Sequence, residues 1–297
     1  MAKIKTLLMT VTALALLAGC ASAPPAPRVR PPAPPPRLKV MTWNIHHGCG
    51  ADKRVDLERI AAVIKRENPD IVGLQEVDVG VPRSNSVDQV KELSRLTGMA
   101  GWFGKAVPLD GGDYGNAMLC RFPLADPAML PRAIGLNPPG TSEARCVLES
   151  DIQIKPGLNM KILVTHFDTN LKTTPMNALT LNHSFQFMTP SAGILMGDLN
   201  AVPTSDALKE LGKLWKRLAG SSEAPTWPAY ALEESQTDRE PRTIDHILVR
   251  PAADWTQISL RIIDETVASD HRPIIAELEY APQKHRYPTP SAPMAPK

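Results

Sequence analysis

Ile194-Leu195-Met196-Gly197-Asp198-Leu199-Asn200 is the stretch from which the rest of the chain is best read. Its first four residues, apolar or small, have the pattern of a buried strand. Two polar residues one position apart follow the glycine. Asp198 and Asn200 therefore share a side if the chain stays extended. A carboxylate and an amide at the mouth of a core strand can hold a water or a phosphate oxygen. The same pattern also makes a turn or a helix cap. What stands at the other strand ends decides between the two.

The chain has 297 residues, 43% of them hydrophobic and 22% charged, so it can bury a substantial core in one large or two small domains. A formal charge of +2 argues against a protein whose main business is electrostatic binding of nucleic acid. The 30 prolines are unevenly spread. At the start, Lys3 and Lys5 precede the apolar run Leu7 to Leu17, which ends in Leu17-Ala18-Gly19-Cys20. These are the parts of an export signal, and the run is too short to span a bilayer. Its ending resembles the bacterial lipoprotein signal, which implies cleavage before Cys20 and lipidation of that cysteine. Cleavage of an ordinary signal near Ala21-Ser22-Ala23 is the alternative. Ala21 after the cysteine favours the outer membrane under the same resemblance, and loss of Lys3 and Lys5 takes the formal charge from +2 to 0. Residues 20–36 read as a stiff proline-rich tether, residues 37–280 as the folded domain, and residues 281–297 as a loose tail. Of the remaining thiols, Cys49, Cys120 and Cys146, the last two lie in strand-like segments and are able to pair in an oxidising compartment. No Cys/His spacing suggests zinc.

Strands are expected over 37–45, 70–77, 102–106, 114–120, 146–152, 160–165, 243–249, 257–263 and 273–278, besides the opening one. Helices are expected over 56–67, 87–96, 177–187 and 203–218. Many strands, few helices and no repeated βαβ beat indicate a mixed α+β fold with a large antiparallel component. Neither a dinucleotide fingerprint nor a phosphate-binding glycine loop is present.

Polar residues recur where these strands end: Asn44, Glu76, His166, Asp198 with Asn200, Asp245 with His246, and Asp270 with His271. Each alone has a structural reading as a cap, a solvated carboxylate or a turn. Asp245 in particular has Arg242 nearby in sequence to pair with. Strand ends on one side of a sheet converge, however. Carboxylates, amides and two histidines in one cleft make a metal-assisted hydrolytic site. Oxygen donors of this kind suit Mg2+, Mn2+ or Ca2+ better than zinc.

The motifs Thr42-Trp43-Asn44-Ile45, Leu74-Gln75-Glu76-Val77, Tyr114-Gly115-Asn116-Ala117, Thr165-His166-Phe167-Asp168, Gly197-Asp198-Leu199-Asn200, Ile244-Asp245-His246-Ile247 and Ser269-Asp270-His271-Arg272-Pro273, in that order, resemble the endonuclease/exonuclease/phosphatase superfamily. The resemblance runs from Lys39 to Leu278. It implies a four-layer α/β/β/α sandwich of two packed, mixed and largely antiparallel sheets, with the site at one edge. It implies Glu76 as principal Mg2+ ligand with Asn44 beside it, and Asp270 on the metal side. It makes His271 the general base or the group that fixes the attacking water, oriented by Asp270. His166 becomes a donor to a phosphate oxygen, held by Asp245, while Asp198 and Asn200 bind the water or the phosphoryl oxygens. Glu143-Ala144-Arg145 matches a further pattern, in which Arg145 either helps hold phosphate or is structural. His46 and His47 are read as loop residues near the metal side rather than ligands.

Together these features point to a divalent-metal-dependent phosphodiesterase, nuclease or phosphatase, monomeric and anchored to the cell envelope through lipid. Its substrate is a phosphate ester: nucleic acid, a phospholipid headgroup or a small metabolite. A non-catalytic envelope lipoprotein that uses the same fold for binding or assembly is the alternative.

Overall fold

The computed structural model describes residues 34–137, 143–188, 192–220, 224–230 and 240–283. The leader, Cys20, nearly all of the tether and all but the first residues of the tail lie outside them. Twelve strands among the described residues form two six-stranded sheets. The first runs in the order Trp255–Ile262 (β11), Ile274–Tyr280 (β12), Arg37–Asn44 (β1), Ile71–Val79 (β2), Gly112–Cys120 (β4) and Ala100–Leu109 (β3). The second runs Arg132–Gly135 (β5), Cys146–Lys155 (β6), Leu158–His166 (β7), Gly193–Asp198 (β8), Asp245–Arg250 (β10) and Lys216–Arg217 (β9). Each sheet has one parallel pair, β1 with β2 and β7 with β8, and is otherwise antiparallel.

Period-two alternation sorts the side chains into three layers of core. Leu38 and Val40 of β1, Ile162 and Val164 of β7, and Ile194 and Met196 of β8 meet between the sheets. Met41 and Trp43 face the opposite way, onto Leu57–Glu67 (α1) and Gln89–Thr97 (α2). Leu163 and Leu195 face Thr174–Phe185 (α3) and Asp206–Leu211 (α4). Burial of each such side chain contributes about 1.5–3 kcal/mol. Helix, sheet, sheet, helix is the expected four-layer sandwich.

The helix ends follow local chemistry. Asp56 caps α1 through Arg59 N–H, and Asn68 closes it in the left-handed region. Asp88 caps α2 through Lys91 N–H. The fourth helix is shorter than 203–218: Ser205 caps its start, Gly212 ends it, and Lys216–Arg217 leave to pair with β10. The third begins at Thr174, with Pro175 in its first turn, rather than at residue 177. Strand β5 follows a proline-rich stretch that reads only as loop. Cys120 and Cys146 are both free and buried, one in each sheet, so the pairing the sequence allows is not made. Cys146 Sγ instead lies 3.5 Å from the Gly104 carbonyl oxygen. No helix among the described residues is long and apolar enough to cross a membrane.

Candidate active site

Alternation carries the site as well as the core. In β8, Ile194 and Met196 point between the sheets, so Asp198, two further on, points the same way at the strand's end. Met160, Ile162 and Val164 bring His166 to that side, and Ile247 and Val249 do the same for Asp245. Register then sets the three at one level: His166 pairs with Asp198 across the parallel ladder, and Asp245 with Asp198 across the antiparallel one. From the facing sheet, Leu38 and Val40 put Asn44 on the inter-sheet side of β1.

Glu76 reaches this side by a different device. Val72 and Leu74 face the helices, and strict alternation would send Glu76 with them. A bulge intervenes: Leu74 pairs with Ala117 and Val77 with Gly115, so Gln75 and Glu76 together oppose one residue. Glu76 has φ +56°, an uncommon conformation for a side-chain-bearing residue. Its carboxylate is turned to accept from Asn44 Nδ2 at 3.0 Å. Asn44 Nδ2 also donates to Asp198 Oδ2 at 3.1 Å, so one amide links the two sheets' carboxylates.

Asp198 is 1% exposed and at the centre. Its Oδ1 accepts the Asn200 N–H at 2.8 Å, and its Oδ2 lies 3.4 Å from His166 Nε2 and 3.6 Å from His271 Nε2. Burial raises its carboxyl to about 7, the charge of Asp245 adds to the rise, and His271 opposes it. The chain does not stay extended through Asn200, whose φ is +47°. The turn reading and the functional reading of the opening stretch are therefore both right. An Asx turn folds back, and it delivers the Asn200 amide to within 3.0 Å of His166 Nε2 while it donates to the Phe167 carbonyl at 3.0 Å.

Two expected partnerships are replaced by others. His271 Nδ1 lies 2.9 Å from Asp245 Oδ2, so Asp245, not Asp270, orients His271. Burial alone would lower the imidazole's proton affinity, but Asp245 and Asp198 outweigh it and raise His271 to about 10. His166 is held by Arg145, not Asp245: Arg145 Nη1 is 3.1 Å from His166 Nδ1, with Tyr114 Oη 3.5 Å from the same nitrogen. Guanidinium groups only donate, so Nδ1 accepts, while Nε2 faces Asn200 Nδ2 at 3.0 Å and Asp198 Oδ2 at 3.4 Å. Burial first, then Arg145 and His271, push His166 well below its ordinary value, which leaves it neutral. Asp270 sits elsewhere, with Oδ1 3.8 Å from His46 Nδ1. His246 is turned away from the cleft and lies 2.7 Å from the Ala201 carbonyl oxygen through Nε2. Arg242, the partner for Asp245 that the sequence offers, stacks over Trp227 at 5.1 Å.

The loop bearing His271 is pinned to β1. The buried Trp43 indole donates to the His271 carbonyl at 2.8 Å, and Ser269 Oγ donates to the Asn44 carbonyl at 2.7 Å. These contacts and Tyr114 escape a reading by residue type, because they join positions far apart in the chain. In Tyr114-Gly115-Asn116-Ala117, Asn116 is structural and donates to the Cys146 carbonyl at 3.0 Å.

The cleft so formed has a volume of about 770 Å3, and Lys53, Arg83, Trp227, Tyr230 and Arg242 add to its lining. Two groups in or behind its wall have the donor set for a divalent cation. Ligand atoms of His46, His47 and Glu76 lie within 4.8 Å of one another, as do those of Asp198, Asp245 and His271. In the second group the atoms already engage each other, which suits proton handling better. In the first, His47 Nδ1 is buried without a hydrogen-bond partner among the described residues, and the Asn44 amide oxygen accepts the neighbouring His46 N–H at 3.0 Å. These residues fit a cation.

Comparison with known proteins agrees with this geometry. The crystal structure of an endonuclease/exonuclease/phosphatase from Beutenbergia cavernae is similar over 82% of this chain and 72% of that one, at 25% identity and a TM-score of 0.67. The endonuclease/exonuclease/phosphatase from Bacteroides vulgatus is 20% identical over 82% of this chain and 99% of that one, with a TM-score of 0.65. A mannosyl-6-phosphatase from Bacteroides thetaiotaomicron is 17% identical over 82% of this chain and 100% of that one, with a TM-score of 0.63. No curated protein matches the sequence. Residues 41–271 match the Endonuclease/Exonuclease/phosphatase family, a span that holds every site residue named above, and the chain belongs to that family.

Proposed function

We propose that this protein is a divalent-metal-dependent hydrolase of phosphate esters, of phosphodiesterase or nuclease type, held at the cell envelope by a lipid on Cys20. The observation that carries the reaction is Asp198. One buried carboxylate lies within 3.6 Å of both His166 and His271, and an asparagine links it to Glu76. Ester hydrolysis needs an activated water, neutralised phosphoryl oxygens and a stabilised leaving alkoxide. Asp198 is placed to take the water's proton as its oxygen bonds to phosphorus. His166, held at Nδ1 by Arg145, is read as the donor to a phosphoryl oxygen. His271, engaged by Asp245 at Nδ1, presents Nε2 as a second donor. The bond from phosphorus to the leaving oxygen breaks, and that oxygen leaves as the alkoxide, which a proton then neutralises. Glu76, with Asn44 and Asp270, would hold a divalent cation, which would neutralise charge on the phosphate.

The address rests on the sequence: an apolar run ending in Leu17-Ala18-Gly19-Cys20 and a proline-rich spacer after it. It supports a location on the outer membrane or facing the periplasm, and we read the enzyme as a monomer. A panel of nucleic acid, phospholipid and small phosphate mono- and diesters, run with Mg2+ or Mn2+, tests the activity, with His271→Ala protein as blank. Turnover of at least one substrate by the parent and not by the blank is expected. No turnover of any ester, with any divalent ion, rejects the enzyme. Globomycin sensitivity of processing, or labelling of Cys20 by a fatty acid, tests the anchor, and a Cys20→Ser chain that stays membrane-bound rejects it.

A further inference from the structure

We infer that His46, His47 and Glu76 form an imidazole-bearing cation site, which takes a transition metal such as Co2+ or Zn2+ in preference to Mg2+. The sequence reads the two histidines as loop, and an all-oxygen donor set at Glu76 would favour Mg2+. The fold places them differently.

All three residues adopt left-handed backbone, with φ +46° at His46, +44° at His47 and +56° at Glu76. The first two follow Ile45, just past the end of β1, and the third sits on the bulge of β2, so both elements turn their side chains toward the same point. A ligand atom from each lies within 4.8 Å of the others. The two imidazoles stand edge to face with centroids 4.6 Å apart. His46 Nδ1 lies 3.3 Å from the Cys49 carbonyl oxygen. Donation of its N–H there leaves the Nε2 lone pair free, the arrangement by which backbone carbonyls orient metal-binding histidines. His47 Nδ1 is buried and unpartnered among the described residues, and a buried polar atom of that kind calls for an ion or another partner. Asp270 Oδ1, 3.8 Å from His46 Nδ1, lies on the side of that ring turned to the Cys49 carbonyl.

Ligand chemistry then selects the ion. Mg2+ holds to oxygen and keeps much of its water. Imidazole nitrogens favour the later first-row ions such as Co2+ and Zn2+ over Mn2+. Two nitrogens in a three-residue donor set tilt the site toward those ions.

Asparagine tolerates left-handed backbone, so His46→Asn and His47→Asn remove the imidazoles without imposing new strain. Metal-stripped parent and variant proteins are titrated with Co2+, Zn2+ and Mg2+. Affinity is read by calorimetry, and Co2+ ligation also by its visible absorption band. The site is in the cleft assigned to hydrolysis, but binding is read without substrate, so absence of turnover does not bear on it. Expected are tighter binding of Co2+ and Zn2+ than of Mg2+ by the parent, and at least tenfold weaker Co2+ and Zn2+ binding in each variant. Mg2+ affinity should stay within about twofold. Circular dichroism confirms that each variant is folded, and His46→Gln and His47→Gln serve if an asparagine variant is not. Unchanged Co2+ and Zn2+ affinity in the folded variants overturns the inference, as does a parallel fall in Mg2+ affinity or a parent that prefers Mg2+.

Discussion

Replacement of Asp245 by asparagine isolates the step at which the site departs from the pairing its sequence suggests. Asp245 is fully buried, and its Oδ2 lies 2.9 Å from His271 Nδ1. With charge centres about 4 Å apart and an effective dielectric near 20, the attraction is about 4 kcal/mol. At about 1.36 kcal/mol per decade, its loss lowers the proton affinity of His271 by roughly a thousandfold. Asp198, at 3.6 Å from Nε2, remains and moderates the fall. The amide also leaves an N–H2 where Asp245 Oδ1 has no hydrogen-bond partner among the described residues, which costs a further 1–3 kcal/mol of stability. Imidazole NMR signals followed against pH, with urea unfolding and kcat/KM on the same preparations, read all three. In Asp245→Asn, His271 should titrate well below its parent value, near 10, stability should drop, and kcat/KM should fall by about 10²–10⁴-fold, the range of one lost acid–base contribution. Asp270→Asn should leave the His271 titration nearly in place. A large shift in Asp270→Asn with none in Asp245→Asn would refute the pairing.

Two further perturbations test the frame around the site. A Cβ at Gly197 would stand 1.9 Å from the Thr165 carbonyl oxygen, so Gly197→Ala must push β8 from β7 by about an ångström, the order of overpacking that costs about 1–3 kcal/mol. Asp198 rides on that strand, and a displacement of that size costs about 10²-fold in rate; full activity with unchanged urea stability would show that the strand end does not set the geometry. Glu67 closes α1 against β11. Burial pushes its carboxyl up, but hydrogen bonds from Arg261 and Arg66 win and hold it below its ordinary value of 4.5. Its contribution is therefore fully present above the unfolded value and is lost as pH falls through the lower folded one. With both arginines half exposed, about 1 kcal/mol remains after solvent screening. The stability gap between parent and Glu67→Gln should be constant above about pH 5 and close below it, and a gap that widens on acidification reverses the sign.

The residues of the site were legible because strand alternation and strand ends are local features. Asp198, His166 and Asp245 could be placed at one level once their strands were identified. Their partners could not. Whether Asp245 or Asp270 meets His271 depends on how the last loop docks on β1, through Trp43 and Ser269, across more than 200 residues of chain. Arg145 meets His166 for a similar reason, since β6 and β7 bring them to adjacent strand ends. The bulge at Glu76 breaks the alternation without a glycine or proline to announce it. His46 and His47 share that difficulty, since their left-handed backbone, not their spacing, turns them to Glu76. The fourth helix was overdrawn because Leu214 and Trp215 continue its apolar rhythm past Gly212. Their burial against α4 satisfies the pattern without a helix.

Hydrolysis of bis(p-nitrophenyl) phosphate and p-nitrophenyl phosphate by metal-stripped protein, before and after divalent cation is restored, tests the central claim most directly, with Asp198→Asn in parallel. Asp198→Asn keeps the side chain's shape and removes the carboxylate that faces both histidines. Release of p-nitrophenol that appears only with added metal and falls by at least 10²-fold in Asp198→Asn is the result predicted for a lost general base. Release unchanged by chelation, or equal in parent and variant, would contradict it.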